Sequence, residues 1–251
     1  MEIVNPDPSL IPELIRLWQL AFGDSEDLIR NFFSTAFEPR RCRCLLKRDR
    51  PAAVLYWLDC VCRNRKLAYL YAVATHPEHR RQGLCHSLMA DTRDHLTGLG
   101  YDGIVLMPAG DSQRRMYAGM GYRDFSGISR FSCTAGTPVP VTEIGPEAYG
   151  RLRRTFLPQG SVIQEGPTLS YLHTYARFYA GEDFVLAAAP DGDSLLGLEL
   201  LGPREAGPGI LAALGYETGT FRVPGNHIPF AMFLPLTPEA KAPGYFGLAL
   251  D

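Results

Sequence analysis

Residues 73–86, Val-Ala-Thr-His-Pro-Glu-His-Arg-Arg-Gln-Gly-Leu-Cys-His, concentrate the residue types that bind anions. An apolar run from Tyr69 to Ala74 leads into a proline, then into basic residues and a glycine. An amphipathic stretch follows, with Leu84, Leu88, Met89, Thr92 and Leu96 at helical spacing. A strand, a tight loop and a helix start, in that order, make a cradle for a diphosphate. The loop turns its amides inward, and the helix end adds unpaired N–H groups and the positive pole of its dipole. Gly83 lets the backbone approach a phosphate because it has no Cβ. Arg80 and Arg81 add charge for a ligand carrying several negative charges. The nucleotide fingerprints do not fit: no Gly-x-Gly-x-x-Gly follows a strand, and no Gly-x-x-x-x-Gly-Lys-Ser/Thr occurs.

The elements that must hold this loop in place can be read from periodicity and punctuation. Ile3-Val4 is a first strand, and residues 9–22 form a helix with Leu14, Ile15, Leu17, Trp18 and Ala21 inward, stopped by Gly23. Asp24 or Ser25 caps a second helix carrying Leu28, Ile29, Phe32, Phe33 and Phe37. Residues 42–47 and 52–62 pair as a hairpin turned at Arg48-Asp49-Arg50, which sets Cys44 opposite about Val54 and Cys42 opposite about Tyr56. Beyond the cradle, Gly98 and Gly100 end the helix and residues 104–107 form a buried strand. Asp111 or Ser112 caps a short helix through Gly119, and residues 126–134 close the sheet.

Arg80-x-x-Gly83-x-Cys85 resembles the Arg/Gln-x-x-Gly-x-Gly/Ala signature of the GNAT acyltransferases, the acetyl-CoA-dependent N-acetyltransferases. Cys85 stands where that family usually has Gly or Ala. Residues 111–122 are similar to a second GNAT motif, a tyrosine, three residues and Gly-Phe/Tyr after the fifth strand. Tyr117 takes the tyrosine position, and Asp111-Ser112-Gln113 replaces the Asn common ahead of this helix. Residues 77–84 look like the Eis-type (enhanced intracellular survival) branch.

The resemblance implies an α/β architecture with a mixed α+β sheet, the GNAT acyl-CoA N-acyltransferase fold, over residues 1–134. It also implies acetyl-CoA as co-substrate, held by Val73, Ala74, Thr75, Arg80, Arg81, Gln82, Gly83, Leu84, Cys85, His86, Ser112 and Gln113. Splayed fourth and fifth strands would expose an amide near Val73 to Thr75 for the oxyanion. Tyr117 becomes the acid for the departing thiolate, a phenol of pKa about 10 meeting a base of comparable strength. A helix tyrosine that merely packs on the sheet is the plainer alternative. His76, Glu78, His79 and His86 lie near the loop, and none stands out as general base. Ordered water serves in many such enzymes, and the Eis-type likeness adds a chain-terminal carboxylate, Asp251.

At 251 residues and 46% apolar content the chain can build one large core or two small ones. A net charge of −2 argues against nucleic acid as a main partner. Residues 1–139 hold 18 Lys/Arg against 15 Asp/Glu, and residues 140–251 hold 7 against 12. That contrast suits an anionic donor meeting a cationic amine, though random surface variation gives the same count. No run nears the roughly 18 apolar residues of a membrane span, and no signal-peptide pattern opens the chain, so a cytoplasmic protein without membrane contact is expected. Cys42-x-Cys44 and Cys60-x-Cys62 invite a zinc reading, but alternate positions on paired strands account for them better. Neither a metal nor a disulfide is expected.

Residues 135–141 read as a linker. The second half, 142–251, partly repeats the first: a helix with Leu169, Leu172, Tyr175, Ala176 and Tyr179, then a hairpin of 184–189 and 195–200. Residues 210–216 echo Met116 to Tyr122, with Leu211 in place of Tyr117, and no Arg-x-x-Gly loop is read in this half. A second, shortened GNAT-like domain that does not hold CoA is the expectation. The expected activity is transfer of acetyl from acetyl-CoA to a primary amine, on a small molecule or a peptide, by direct attack in a ternary complex. The alternative is a catalytically weak CoA-binding sensor or scaffold. Self-association is left open, and the acceptor is not legible.

Overall fold

The computed structural model describes residues 1–250, and Asp251 lies outside the described residues. The chain forms two compact units, Met1–Arg123 with Phe233–Lys241, and Asp124–Met232 with the residues from Ala242 on.

The first unit contains β1 (Glu2–Val4), α1 (Ile11–Phe22), α2 (Glu26–Thr35), β2 (Cys42–Lys47), β3 (Arg50–Cys62), β4 (Arg65–Thr75), α3 (Leu84–Gly98), β5 (Gly103–Leu106) and α4 (Asp111–Gly119). Its strands lie in the order β1-β2-β3-β4-β5, antiparallel except for the parallel pair β4–β5 joined through α3. Gly23 ends α1 in the left-handed region at φ 77°, and the Ser25 hydroxyl accepts the Leu28 amide to start α2. The hairpin register is the expected one, Cys44 opposite Val54 and Cys42 opposite Tyr56. One cap differs. Gly110 holds the N-cap of α4 without a side-chain bond, and Asp111 is the first helical residue. From there its carboxylate still faces the positive pole of the helix.

The second unit contains β6 (Arg123–Thr134, all but its first residue), β7 (Thr142–Ile144), α5 (Pro146–Phe156), β8 (Ile163–Gln164), α6 (Pro167–Leu172), β9 (Arg177–Ala180), β10 (Val185–Asp191), β11 (Ser194–Leu201), α7 (Ala206–Leu214), β12 (Thr218–Gly225) and the start of β13 (Ile228–Pro235). Its sheet runs β6-β12-β11-β10-β9-β7. β13 then carries the chain back, so that Phe233–Lys241 belongs to the first unit.

Three expectations change here. The strand expected to close the first sheet lies, after Arg123, in the second unit, where Phe131 pairs with Phe221 and stacks on it. The expected linker is not a free tether. Ala135 donates to Glu217 O (2.9 Å) and Gly136 to Pro208 O (3.0 Å), while Val139 and Val141 pack on the core of Ile210, Leu211 and Phe221. Pro and Gly end the preceding strand, but the two valines are apolar enough to be buried. The expected helix through Tyr179 stops at Leu172, and residues 177–180 form β9. Phe178 is buried between the rings of Tyr149 (4.2 Å) and His173 (5.2 Å), which favours an extended, alternating segment there.

The core of the second unit contains a charged pair. Arg153 of α5 and Glu199 of β11 are 1% and 0% exposed and meet twice, Nε to Oε2 at 2.5 Å and Nη2 to Oε1 at 3.0 Å. The hydroxyls of Tyr149 and Tyr245 donate to the same carboxylate at 3.3 and 3.2 Å. Four donor contacts satisfy the buried acid.

Candidate active site

β4 has to present amides at its open edge, and its geometry does so. Pairing with β5 ends at Tyr69↔Val105, although β4 continues to Thr75. Against β3 the register shifts between Val54↔Ala74 and Tyr56↔Tyr71, so β4 carries one extra residue opposite Leu55. Ala72 sits in this bulge at φ 48°, in the left-handed region for a residue with a Cβ. Bulges twist and redirect a strand, and here the two parallel strands separate next to it. The His76 amide donates to Ala52 O of β3 at 2.9 Å. Strand amides alternate, so Ala74 also faces β3, while Val73 and Thr75 face the gap. The Arg80 Nε bond to Thr75 O (3.3 Å) places that carbonyl on the same open side. Of the three amide candidates, Val73 and Thr75 are available and Ala74 is not.

The loop after β4 is built on a 3-10 turn, Pro77–His79, whose start is capped by His76 Nδ1 accepting the Glu78 amide at 3.3 Å. That bond gives His76 a structural task. Arg81 (φ 60°) and Gly83 (φ 76°, ψ 0°) then bring the chain into α3. Ser87 donates to Gly83 O at 3.0 Å, the first bond of the helix, which leaves the amides of Leu84, Cys85 and His86 without an intrahelical acceptor. A Cβ built on Gly83 meets nothing within 4 Å. That leaves open space at a helix end whose amides have no acceptor. Arg80 and Arg81 are exposed, and among the described residues neither has a carboxylate partner. Gln82 is tied down on both sides, donating to Glu78 O (3.2 Å) and accepting from Lys47 Nζ (3.2 Å). The Leu84 side chain is core, so only its amide faces the cradle.

Gly83→Ala should weaken binding of CoA at least tenfold, since the methyl occupies the phosphate space. The strained φ should cost about 1 kcal/mol of stability. Titration calorimetry with CoA beside a thermal melt separates the two effects, and unchanged affinity would remove Gly83 from the site.

Tyr117 lies in the first unit on α4, 7% exposed, its ring 5.7 Å from that of Tyr122 at a steep angle. Burial, then the nearby Cys85 thiol, raise its pKa well above the ordinary phenol value. Burial likewise raises the Cys85 thiol, so it stays neutral. Ser112 and Gln113 are exposed at the first turn of α4 and bond to each other, Oγ to Oε1 at 2.9 Å. His86 is exposed and lines a hollow of about 220 Å³ with Met89, Arg93 and Tyr122.

In the second unit the element corresponding to the cradle helix differs from the one the sequence echo suggested. α7 joins the parallel strands β11 and β12, as α3 joins β4 and β5, so its counterpart is α3 and not α4. An Arg-x-x-Gly spacing, Arg204 to Gly207, does recur at its start and was missed in the sequence. It cannot work as a cradle. Gly207 lies inside the helix, where a Cβ would stand 3.0 Å from the Phe131 ring, and Arg204 lies over that ring at 5.7 Å. Glu205 occupies the N-cap, and its carboxylate repels an anion where α3 would attract one.

Residues 2–124 match the family model for an acetyltransferase (GNAT) domain. The first half of this chain is a GNAT acetyltransferase domain. No curated protein matches the chain. Among solved structures, a GCN5-related N-acetyltransferase from Kribbella flavida superposes with a TM-score of 0.70 at 18% identity, covering 94% of this chain and 72% of its own. Eis1 from Mycobacterium abscessus gives 0.71 at 12% identity, covering 95% and 75%. A tandem GNAT protein from the clavulanic acid biosynthesis pathway gives 0.57 at 13% identity, covering 95% and 99%. These likenesses establish the fold, a GNAT domain followed by a second domain, and the family match makes the protein an acyltransferase. No helix among the described residues is long and apolar enough to cross a membrane.

Proposed function

We propose that the GNAT domain transfers an acetyl group from acetyl-CoA to a primary amine by direct attack within a ternary complex. The observation that carries this reading is Gly83, left-handed at the start of α3 with open space where its Cβ would be. The donor supplies an acetyl thioester and a diphosphate handle. The amides of Leu84, Cys85 and His86, with Arg80 and Arg81, would hold the diphosphate. The amide of Val73 or Thr75, on the open edge of β4, serves the oxygen that becomes anionic. Tyr117 Oη gives its proton to the leaving thiolate.

The acceptor would approach from the side of α1 and α2. There Tyr71, just ahead of the bulge, meets Trp18 (5.4 Å) and Phe32 (5.5 Å), and Phe22 remains 48% exposed at the rim. An aromatic rim suits an amine carried on an apolar body. The proton of the attacking amine leaves through water, because His76 is engaged in the turn. Calorimetry with acetyl-CoA, followed by a thiol-release assay over a panel of small and peptide amines, tests the reading. Absence of acetyl-CoA binding would refute it, and binding without release against any amine would leave a sensor or scaffold.

A further inference from the structure

We propose that the cleft between α1, the β2–β3 turn and the start of the cradle loop is a phosphomonoester subsite that holds the 3′-phosphate at the nucleotide end of the donor. The inference rests on the reading of the cradle as a CoA diphosphate site. The cleft has a volume of about 800 Å³, and its charged walls are Glu13, Arg16, Lys47, Arg48, Arg50 and Glu78. Four cations face two carboxylates there.

Several arginines of this unit have carboxylate partners: Arg30 with Glu26, Arg40 with Glu38, Arg41 with Glu38 and Asp59, Arg43 with Asp91, Arg65 with Asp102, and Arg93 with Asp94. Among the described residues, Arg16, Arg48 and Arg50 have no carboxylate within ion-pair distance. An ordinary solvated face would intersperse both signs. A cluster of unneutralised guanidinium groups beside a diphosphate cradle fits a phosphomonoester, which carries about −1.5 to −2 charges near pH 7.

Position supports the same ligand. Lys47 Nζ donates to Gln82 Oε1 at 3.2 Å, tying the hairpin turn to the cradle. His76, Glu78 and His79 line the cleft and are followed directly by Arg80 to Gly83. In CoA the 3′-phosphate is carried by the ribose next to the diphosphate, so the two phosphate sites must be neighbours. Leu20, exposed on α1, and the His76 and His79 rings, 5.4 Å apart, give the purine apolar and flat surfaces.

The test compares CoA with dephospho-CoA by titration calorimetry on the full chain at fixed ionic strength. The wild type should prefer CoA by about tenfold or more, one to two charge-assisted hydrogen bonds' worth. Arg48→Ser/Arg50→Ser should abolish that preference and leave dephospho-CoA affinity unchanged within about threefold, the factor of an ordinary rim charge. Arg16→Ser, on a different element, should lose part of the preference. Equal wild-type affinity for the two ligands overturns the subsite while leaving the cradle intact, as does a preference that survives in the double variant. Binding of neither ligand overturns the cradle reading and the subsite together. Inorganic phosphate that binds the wild type but not the double variant, with no preference between the two CoA forms, assigns the cleft to a free phosphate ligand and overturns the donor assignment.

Discussion

Tyr117→Phe is expected to lower turnover by about 10²- to 10⁴-fold, the usual contribution of a positioned acid, with CoA affinity nearly unchanged. Phenylalanine keeps the ring contact with Tyr122 and removes only the hydroxyl, so the packing of α4 should survive. The high pKa of Tyr117 fixes the sign of the pH response. Burial and the Cys85 thiol raise the phenol above its ordinary value near 10, so the proton donor stays loaded throughout the neutral and mildly alkaline range. A kcat profile of the wild type should therefore show no loss attributable to this acid below about pH 10. A weak acid is apt here because the leaving thiolate, in the same poorly hydrated place, also becomes more basic. Stopped-flow thiol release and CoA calorimetry on the variant are the measurements. Equal kcat in the two proteins would return Tyr117 to the role of a packing residue.

The second large effect concerns stability. Glu199→Ala should cost about 3–5 kcal/mol, because it leaves the Arg153 guanidinium buried without its counter-charge and two tyrosine hydroxyls without an acceptor. Replacing both charges, Arg153→Met with Glu199→Leu, should recover only the part of the loss due to the buried unpaired charge, since the Tyr149 and Tyr245 hydroxyls remain without an acceptor. Urea unfolding of the single and double variants gives the comparison, and a single variant within 1 kcal/mol of wild type would contradict the argument. Tyr149 and Tyr245 add a pH signature. Burial first, and then Glu199, raise both phenols above their ordinary value. A group whose pKa is higher in the folded state stabilises the fold below its unfolded pKa, and the benefit is lost as pH rises. Stability should thus decline above about pH 10.

What could be read in advance followed from strong local signals. The cradle showed itself through a strand, Arg80 to Gly83 and a helical stripe. The pairs of Cys42 and Cys44 were placed correctly from a three-residue turn, although the turn is the two residues Arg48 and Asp49 and a register shift at Leu45 and Leu46, invisible in the sequence, makes up the difference. The bulge at Ala72 left no trace, because Ala-Val-Ala-Thr reads as an ordinary strand and the strain appears only against β3. Which amides of β4 face the gap was hidden for the same reason: it is a fact of pairing. Tyr175 to Tyr179 was misjudged because a short aromatic run fits helix or strand alike, and the Tyr149 ring decided between them. The unpaired arginines around the β2–β3 turn were visible as residues. Their lack of partners was not, since ion pairing depends on which elements meet.

The return of the chain at β13 governs the order in which the enzyme can be made. The Leu236 amide caps Asp102 O at 2.9 Å, and Gly103 is so tight against Phe233 that a Cβ there would stand 2.3 Å from its ring. A ribosome that has released only the motif-bearing half has therefore not yet delivered the strand end that seals β5. The catalytic unit becomes complete only late in synthesis, after the second unit has emerged.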